Sequence, residues 1–279
     1  KARVQPGLFL FKLNGMNAIY SFHRGDTPLL ISVPHAGTVV PPGINQRLRT
    51  GVRQLPDTDW FVKRLYQWAT DQGAGLLTAK YSRYVIDLNR PPDNTALYDT
   101  AGTELVPEKT FEGTELYLTG ERPDVVEVSS RKEQYWQPYH DKIQKELQLI
   151  RQRHGFAILL DAHSIQSRVP LLFDGRLPDL NLGSYRGVSA DPGLVSVAAK
   201  ALCSDPEYSF VLDGRFQGGH ITRHYGRPGE GVHALQLEMV QDVYMRESPP
   251  EFDETRAAKI RPVLHKLIES LLMWSPEHD

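Results

Sequence analysis

Cysteine is almost missing from this 279-residue chain, where Cys203 stands alone. One thiol makes neither a disulfide framework nor a cysteine-based zinc module, and the scarcity suits a reducing cytoplasm. No apolar run approaches the ~18–20 residues of a membrane helix. The nearest, Leu8-Phe9-Leu10-Phe11, is also too short for the core of a secretory leader. Neither sign of charge dominates: Lys+Arg is 32 and Asp+Glu is 34, a formal charge of −2. That balance excludes a basic nucleic-acid footprint. A Gly-x-Ser-x-Gly elbow is missing, and Cys203 has no neighbouring histidine, so a serine or cysteine nucleophile has no support. What remains is a soluble globular composition, 40% hydrophobic with mean hydropathy −0.40, and ten histidines.

Residues 1–15 read as an N-terminal extension, with a single domain over 16–279. The apolar run 29–33 predicts a strand ended by Pro34, with His35 in the following turn. Asp57 is placed to cap a helix that buries Phe61, Val62, Leu65 and Trp68 and stops at Gly73. Strands are expected at 75–79, 84–88, 156–160, 169–173, 210–212 and 232–240. Helical spacing covers 124–153 and 253–274, the latter bent by Pro262, and Asp191-Pro192 opens a third helix to 202. Residues 91–123 have no clear period and exceed the usual ~12–15 residues of a structureless loop, so they read as an insertion with a hairpin near 116–118. Strands alternating with long helices predict one α/β domain with a mixed, mostly parallel sheet.

His35 and His163 each follow a β run, Val33-Pro34-His35 and Leu160-Asp161-Ala162-His163. Ligands of open α/β sheets bind outside the carboxyl ends of the strands. Two imidazoles there can share a metal with one carboxylate and a water. Asp59, Asp57 and Asp161 are the candidates for that carboxylate; Asp59, at a helix start facing the loop of His35, is preferred. Asp57 already has a role as a cap, and Asp161 shares a face with His163, which suits a ligand or a group behind one. Asn89 and Arg90 end the segment that begins at Arg83, and a guanidinium there suits an acidic substrate, unless Asp87 pairs with an arginine. Residues 214–223 are glycine-rich but lack the Lys-Ser/Thr ending of a phosphate loop, so they suit a close backbone approach or a lid. Glu238, inside an apolar run, is a candidate general base if the strand is buried, or a solvent-facing group if the strand is an edge.

Together these stretches resemble the N-formylglutamate amidohydrolases. The likeness runs through residues 28–38, Asp57-Thr58-Asp59-Trp60, and residues 82–92, 160–164 and 219–238. It implies a three-layer α/β/α sandwich similar to the zinc carboxypeptidases, with one Zn2+ or other divalent metal per chain. It implies that His35 and His163 bind the metal, Asn89 and Arg90 hold the substrate α-carboxylate, Arg83 polarises the carbonyl, and Glu238 is the catalytic glutamate. Zinc carboxypeptidases take a glutamate three residues after the first histidine; here that position is Thr38, so the third ligand comes from elsewhere. The implied activity is metal-dependent hydrolysis of N-formyl-L-glutamate to formate and L-glutamate in histidine degradation, in the cytoplasm. A small dicarboxylate needs a second cation, for which Arg168 or Arg223 is expected. Two alternatives remain: a deacylase for another N-acyl amino acid, and a non-catalytic module for acidic small molecules.

Overall fold

The computed structural model describes residues 18–97 and 104–276, so the expected extension 1–15 lies outside the described residues. A seven-stranded sheet forms the centre: β1 (Tyr20–His23), β2 (Leu29–Val33), β3 (Gly75–Ala79), β4 (Ala157–Ile165), β5 (Leu180–Gly183), β6 (Phe210–Leu212) and β7 (Val232–Val240). Their order is β1-β3-β2-β4-β7-β5-β6. Four of the six pairings are parallel, with β1 on β3 and β5 on β7 antiparallel. A small hairpin joins β8 (Met245–Arg246) to β9 (Glu251–Phe252).

Strand β4 shows why the sheet is the middle layer, because all nine of its residues are buried. Side chains alternate across a strand. Ile158, Leu160 and Ala162 therefore join one core, while Ala157 and Leu159 join another. The first core packs helices α2 (Val62–Tyr66), α5 (Pro192–Leu202) and α7 (Glu254–Met273). The second packs α4 (Gln137–His154) and α6 (His220–Tyr225). Layers of helix, sheet and helix follow. Two further helices lie outside these layers' main contacts, α1 (Pro42–Asn45) and α3 (Val125–Arg131). Among the described residues no helix is long and apolar enough to cross a membrane.

Several expected elements form as read. Asp191 caps α5 by accepting from the Gly193 N–H, and Asp253 caps α7. Helix α7 continues across Pro262. Asp124 caps the long 124–153 helix, which holds a π-helical turn at Lys132–Trp136. That wide turn directly precedes Pro138, which has no N–H to continue the regular ladder. Around the expected hairpin, isolated antiparallel bridges join Lys109 to Glu115 and Leu48 to Tyr117.

Other readings are corrected. The segment 84–88 is a buried turn, not a strand, because its polar neighbours bond to side chains instead of a ladder. Residues 169–173 also form a turn, closed by Leu172 and Phe173 N–H groups on the Val169 carbonyl. Asp57 caps nothing: its Oδ2 accepts from Tyr84 Oη at 2.8 Å and Phe111 N at 2.9 Å. Helix α2 starts instead after Phe61, in the left-handed region at φ 61°. Strands β1 and β5 had no clear sequence signal. Both are four residues long, too short for a period-2 pattern to stand out.

Leu160 has no exposed surface and lies between β2 and β7. Leu160→Ala should cost about 2–5 kcal/mol of unfolding free energy, the range for a buried leucine that leaves a cavity. Urea unfolding checks this through a lowered midpoint at unchanged m-value.

Candidate active site

On the α4 side of the sheet, apolar residues give way to polar ones toward the carboxyl ends of the parallel strands. In register, Leu159 neighbours Ala234, then Asp161 neighbours Gln236, then His163 neighbours Glu238. His163 thus lies inside β4, which runs to Ile165, rather than after the strand. His35 follows β2 as expected, and its ring centre lies 4.8 Å from that of His163.

Asp59 meets both imidazoles. Its backbone N–H donates to the His35 carbonyl at 3.1 Å, which seats the 55–61 loop against the turn after β2. Asp59 Oδ2 lies 2.9 Å from His163 Nδ1 and 3.9 Å from His35 Nδ1. The Ser164 N–H also donates to that oxygen, at 3.1 Å. Each histidine turns its other nitrogen to a carboxylate behind it. His35 Nε2–H donates to Asp87 Oδ1 at 2.7 Å, and His163 Nε2–H to Asp161 Oδ2 at 2.9 Å. Those bonds turn both Nδ1 atoms toward Asp59; His163 Nδ1–H donates to Asp59 Oδ2, and a cation between them would take the place of that proton. One donor atom from each of His35, Asp59 and His163 lies within 4.8 Å of the others. Two imidazoles and a carboxylate, each braced from behind, fit a divalent cation with an open coordination position. Of the three aspartates considered, Asp59 alone belongs to this triangle; Asp161 stands behind His163, and Asp57 faces Tyr84.

Burial alone would lower the His163 pKa, but Asp161 and Asp59 outweigh it and hold the imidazole well above its usual range. His35 goes the other way, lowered by burial and by the Arg83 charge. Asp87 is fully enclosed, yet His35, Arg83 and Arg90 hold it well below the ordinary carboxylate range against burial. It accepts from His35, from Arg83 Nη2 at 2.6 Å and from the Asn89 N–H at 2.8 Å. The Asp87–arginine pair considered from sequence therefore exists, buried rather than at the surface. Arg83 still reaches the cavity, 4.0 Å from Asp59 Oδ1 and over the Phe111 ring.

The Asn89 carboxamide bridges two elements, with Nδ2 donating to Asp161 Oδ2 at 2.9 Å and Oδ1 accepting from the Ile221 N–H of α6 at 2.8 Å. Gly219 must be glycine here, since a Cβ would lie 2.4 Å from Asn89 Nδ2. The Arg90 carbonyl accepts from Trp136 Nε1 at 3.0 Å, on the π-helical turn. Strand β7 lies between β4 and β5, so Glu238 is not on an edge. Burial, with Asp59 adding to it, lifts Glu238 to about 8 against the pull of His163. Gln236 links it to the glycine-rich segment: its Oε1 accepts from the Gly219 N–H at 2.7 Å, and its Nε2 faces Glu238 Oε2 at 3.4 Å.

A cavity of about 610 Å³, counting its open mouth, gathers these groups. His35, Asp59, His163, Glu238, Arg83, Asn89 and Arg90 all line it, as do Gln236 and Arg215. Arg168 is exposed to solvent and Arg223 is half-buried; neither lines the cavity. Arg223 Nε donates to the Gly218 carbonyl at 2.7 Å, and its guanidinium covers the Tyr185 ring. Sequence reasoning passed over Arg215 and Gln236. Arg215 stood in the quoted glycine-rich stretch, and Gln236 precedes Glu238 by two, the spacing that shares a strand face.

A mixed α/β sheet with buried imidazoles, carboxylates and guanidinium groups in one carboxyl-end cavity defines a site for a small anionic ligand. The chain belongs to the N-formylglutamate amidohydrolase family, whose model matches residues 27–245. It is 49% identical over 264 residues to an N-formylglutamate deformylase of Pseudomonas aeruginosa, covering 94% of this chain and 99% of that protein. An N-formylglutamate deformylase of Pseudomonas putida is 47% identical over 263 residues, at 94% and 98% coverage. The crystal structure of an N-formylglutamate amidohydrolase from Ralstonia eutropha JMP134 superposes with a TM-score of 0.79 at 25% identity, covering 91% of this chain and 97% of that one. A gene product of Agrobacterium tumefaciens shares the fold, with a TM-score of 0.70 at 19% identity and 91% and 94% coverage.

Asp87→Asn should destabilise the protein by about 3–5 kcal/mol, because it leaves the buried Arg83 without its anion and gives His35 a mismatched partner. Chemical unfolding reads this directly; a loss below about 1 kcal/mol contradicts the role of Asp87 as the common acceptor.

Proposed function

We propose that this chain is a single catalytic unit that hydrolyses N-formyl-L-glutamate to formate and L-glutamate, with one divalent metal, zinc, per chain. The observation that carries the reading is the convergence of the His35–Asp59–His163 triangle, Glu238 and guanidinium groups in one cavity. Family membership and the similarity to the two Pseudomonas N-formylglutamate deformylases support the substrate.

His35, Asp59 and His163 would hold the cation, which would supply Lewis acidity toward a water and a carbonyl when bound. The chain's own residues do the rest. Glu238 takes a proton from the attacking water and returns it to the glutamate nitrogen as the C–N bond breaks. Its enclosed position raises its proton affinity above that of an ordinary carboxylate, which suits the return of the proton, while a neighbouring cation would favour the charged form that accepts it. Arg83 offsets the negative charge that develops on the formyl oxygen. Its pairing with Asp87 keeps the guanidinium aimed at the cavity before substrate arrives. Arg90 receives the α-carboxylate, and Asn89 behind it ties that segment to Asp161 and α6. Asp87 and Asp161 hold the two imidazoles in their productive tautomers.

A role in histidine degradation follows from that substrate, and the exposed free thiol of Cys203 fits a reducing cytoplasm.

Chelation of divalent metal should abolish turnover, and zinc should restore it; full activity after complete metal removal contradicts the mechanism. Glu238→Gln should lower kcat by about 10²–10⁴-fold with little change in KM, the size of a lost proton-transfer group. Steady-state kinetics on N-formylglutamate, N-acetylglutamate and N-formylaspartate test the substrate. A clear preference for the first is expected, and equal kcat/KM values contradict the assignment.

A further inference from the structure

The proposed substrate carries two carboxylates, and Arg90 accounts for one. Arg83 faces the reacting centre and is already matched to Asp87 and Asp59. A third arginine, Arg215, also lines the cavity. Resting on the proposed activity, we infer that Arg215 binds the side-chain carboxylate of the substrate and sets the preference for a glutamyl over a glutaminyl side chain.

The chain path makes this residue more than a surface arginine near an opening. Arg90 belongs to the segment after β3, and Arg215 to the segment after β6, so opposite flanks of the sheet deliver the two cations. The 213–219 strap is fastened on both sides of Arg215: before it, the Asp213 N–H donates to the Leu182 carbonyl at 2.7 Å, and the other anchors follow it. On β5, Asn181 holds the next residue twice: its Nδ2 donates to the Phe216 carbonyl at 2.7 Å, and its Oδ1 accepts from the Phe216 N–H at 3.2 Å. On β7, Gln236 accepts from the Gly219 N–H. Tyr185 N–H donates to the Gln217 carbonyl at 2.6 Å, and Arg223 braces Gly218. Gly183 permits this close crossing, since a Cβ there would lie 2.7 Å from Gly218 N. Gly218 itself takes φ +114°, open to glycine. The strap therefore fixes the backbone of Arg215 while its side chain reaches the cavity. That is preorganisation for a charged group.

The cavity wall between the polar groups is apolar. Phe216, Phe111, Leu172 and Ile165 supply surface for the methylenes that separate the two carboxylates. Asn181 is also the register partner of Glu238, so the β5 residue that positions Arg215 neighbours the proposed base. The carboxylate at one end of the substrate is thereby indexed to the proton-transfer group at the other.

The test is a comparison of kcat/KM for N-formyl-L-glutamate and N-formyl-L-glutamine in the metal-loaded wild type and in Arg215→Ala, Arg215→Lys, Arg223→Ala and Arg168→Ala. The wild type should prefer the glutamate substrate by about 10–100-fold, the size of one charge-assisted contact. Arg215→Ala should bring that preference to within about threefold, mainly through KM, and Arg215→Lys should restore part of it. Arg168→Ala should keep most of the preference, and Arg223→Ala, which frees one brace of the strap, should lose less of it than Arg215→Ala. An undiminished preference in Arg215→Ala, with an unfolding midpoint matching the wild type, overturns the assignment. So does a collapse of the preference in Arg168→Ala alone. A wild type that does not turn over N-formylglutamate overturns the underlying activity, a failure seen before any variant is made.

Discussion

Burying several carboxyl groups in one crevice is the constraint on which the rest of this structure depends. Asp59, Asp87, Asp161 and Glu238 each keep less than a tenth of their surface exposed. An isolated buried carboxylate is far too costly, so each must be paired, hydrogen-bonded or neutral. Asp87 is paired three ways, through His35, Arg83 and the Asn89 backbone. Asp161 takes His163 and Asn89 on one oxygen. Glu238, in long contact with Gln236, is lifted to about 8 by burial. Asp59 is satisfied by His163 and Ser164, at hydrogen-bond distance from a strongly basic imidazole. A divalent cation among His35, Asp59 and His163 would replace that imidazolium charge, which is why the donor set fits one.

The fold serves this arrangement through its parallel strands. Parallel pairing of β2, β4 and β7 brings their carboxyl ends to one edge, where His35, His163 and Glu238 emerge together. The antiparallel β5 then turns Asn181 toward that edge, beside Glu238. The glycine-rich strap passes over β5 close enough that glycine is required at 183, and its end packs on Asn89 closely enough to require glycine at 219. On the other flank, Trp136 on the π-helical turn holds the Arg90 carbonyl, so helical packing reaches the cavity wall directly.

Much of this was legible in the sequence, and the exceptions share a cause. The two histidines follow from position alone, because apolar strand runs end beside them. Glu238 follows from its apolar strand. Asp59 is the preferred third member on sequence, but what separates it from Asp57 is how a loop turns. That loop needs left-handed residues at Leu55 and Phe61, neither of which a propensity rule expects. The run 84–88 has strand-like composition because it is buried, although it pairs with no strand. Composition reports burial, and burial in a turn looks the same as burial in a sheet. The second cation was sought at Arg168 and Arg223 by distance along the chain from His163 and the glycines. The strap crossing over β5 brings Arg215 to the cavity wall, and such a long-range crossing leaves no local pattern.

The central claim is that His35, Asp59 and His163 hold one divalent metal. X-ray absorption at the zinc edge, on protein loaded with one equivalent, measures that coordination shell most directly. The account predicts two imidazole nitrogens at about 2.0–2.1 Å with oxygen donors at about 2.0–2.2 Å, and one imidazole fewer in either His35→Ala or His163→Ala. A shell unchanged by both substitutions, or no stoichiometric uptake of zinc by the wild type, would contradict it.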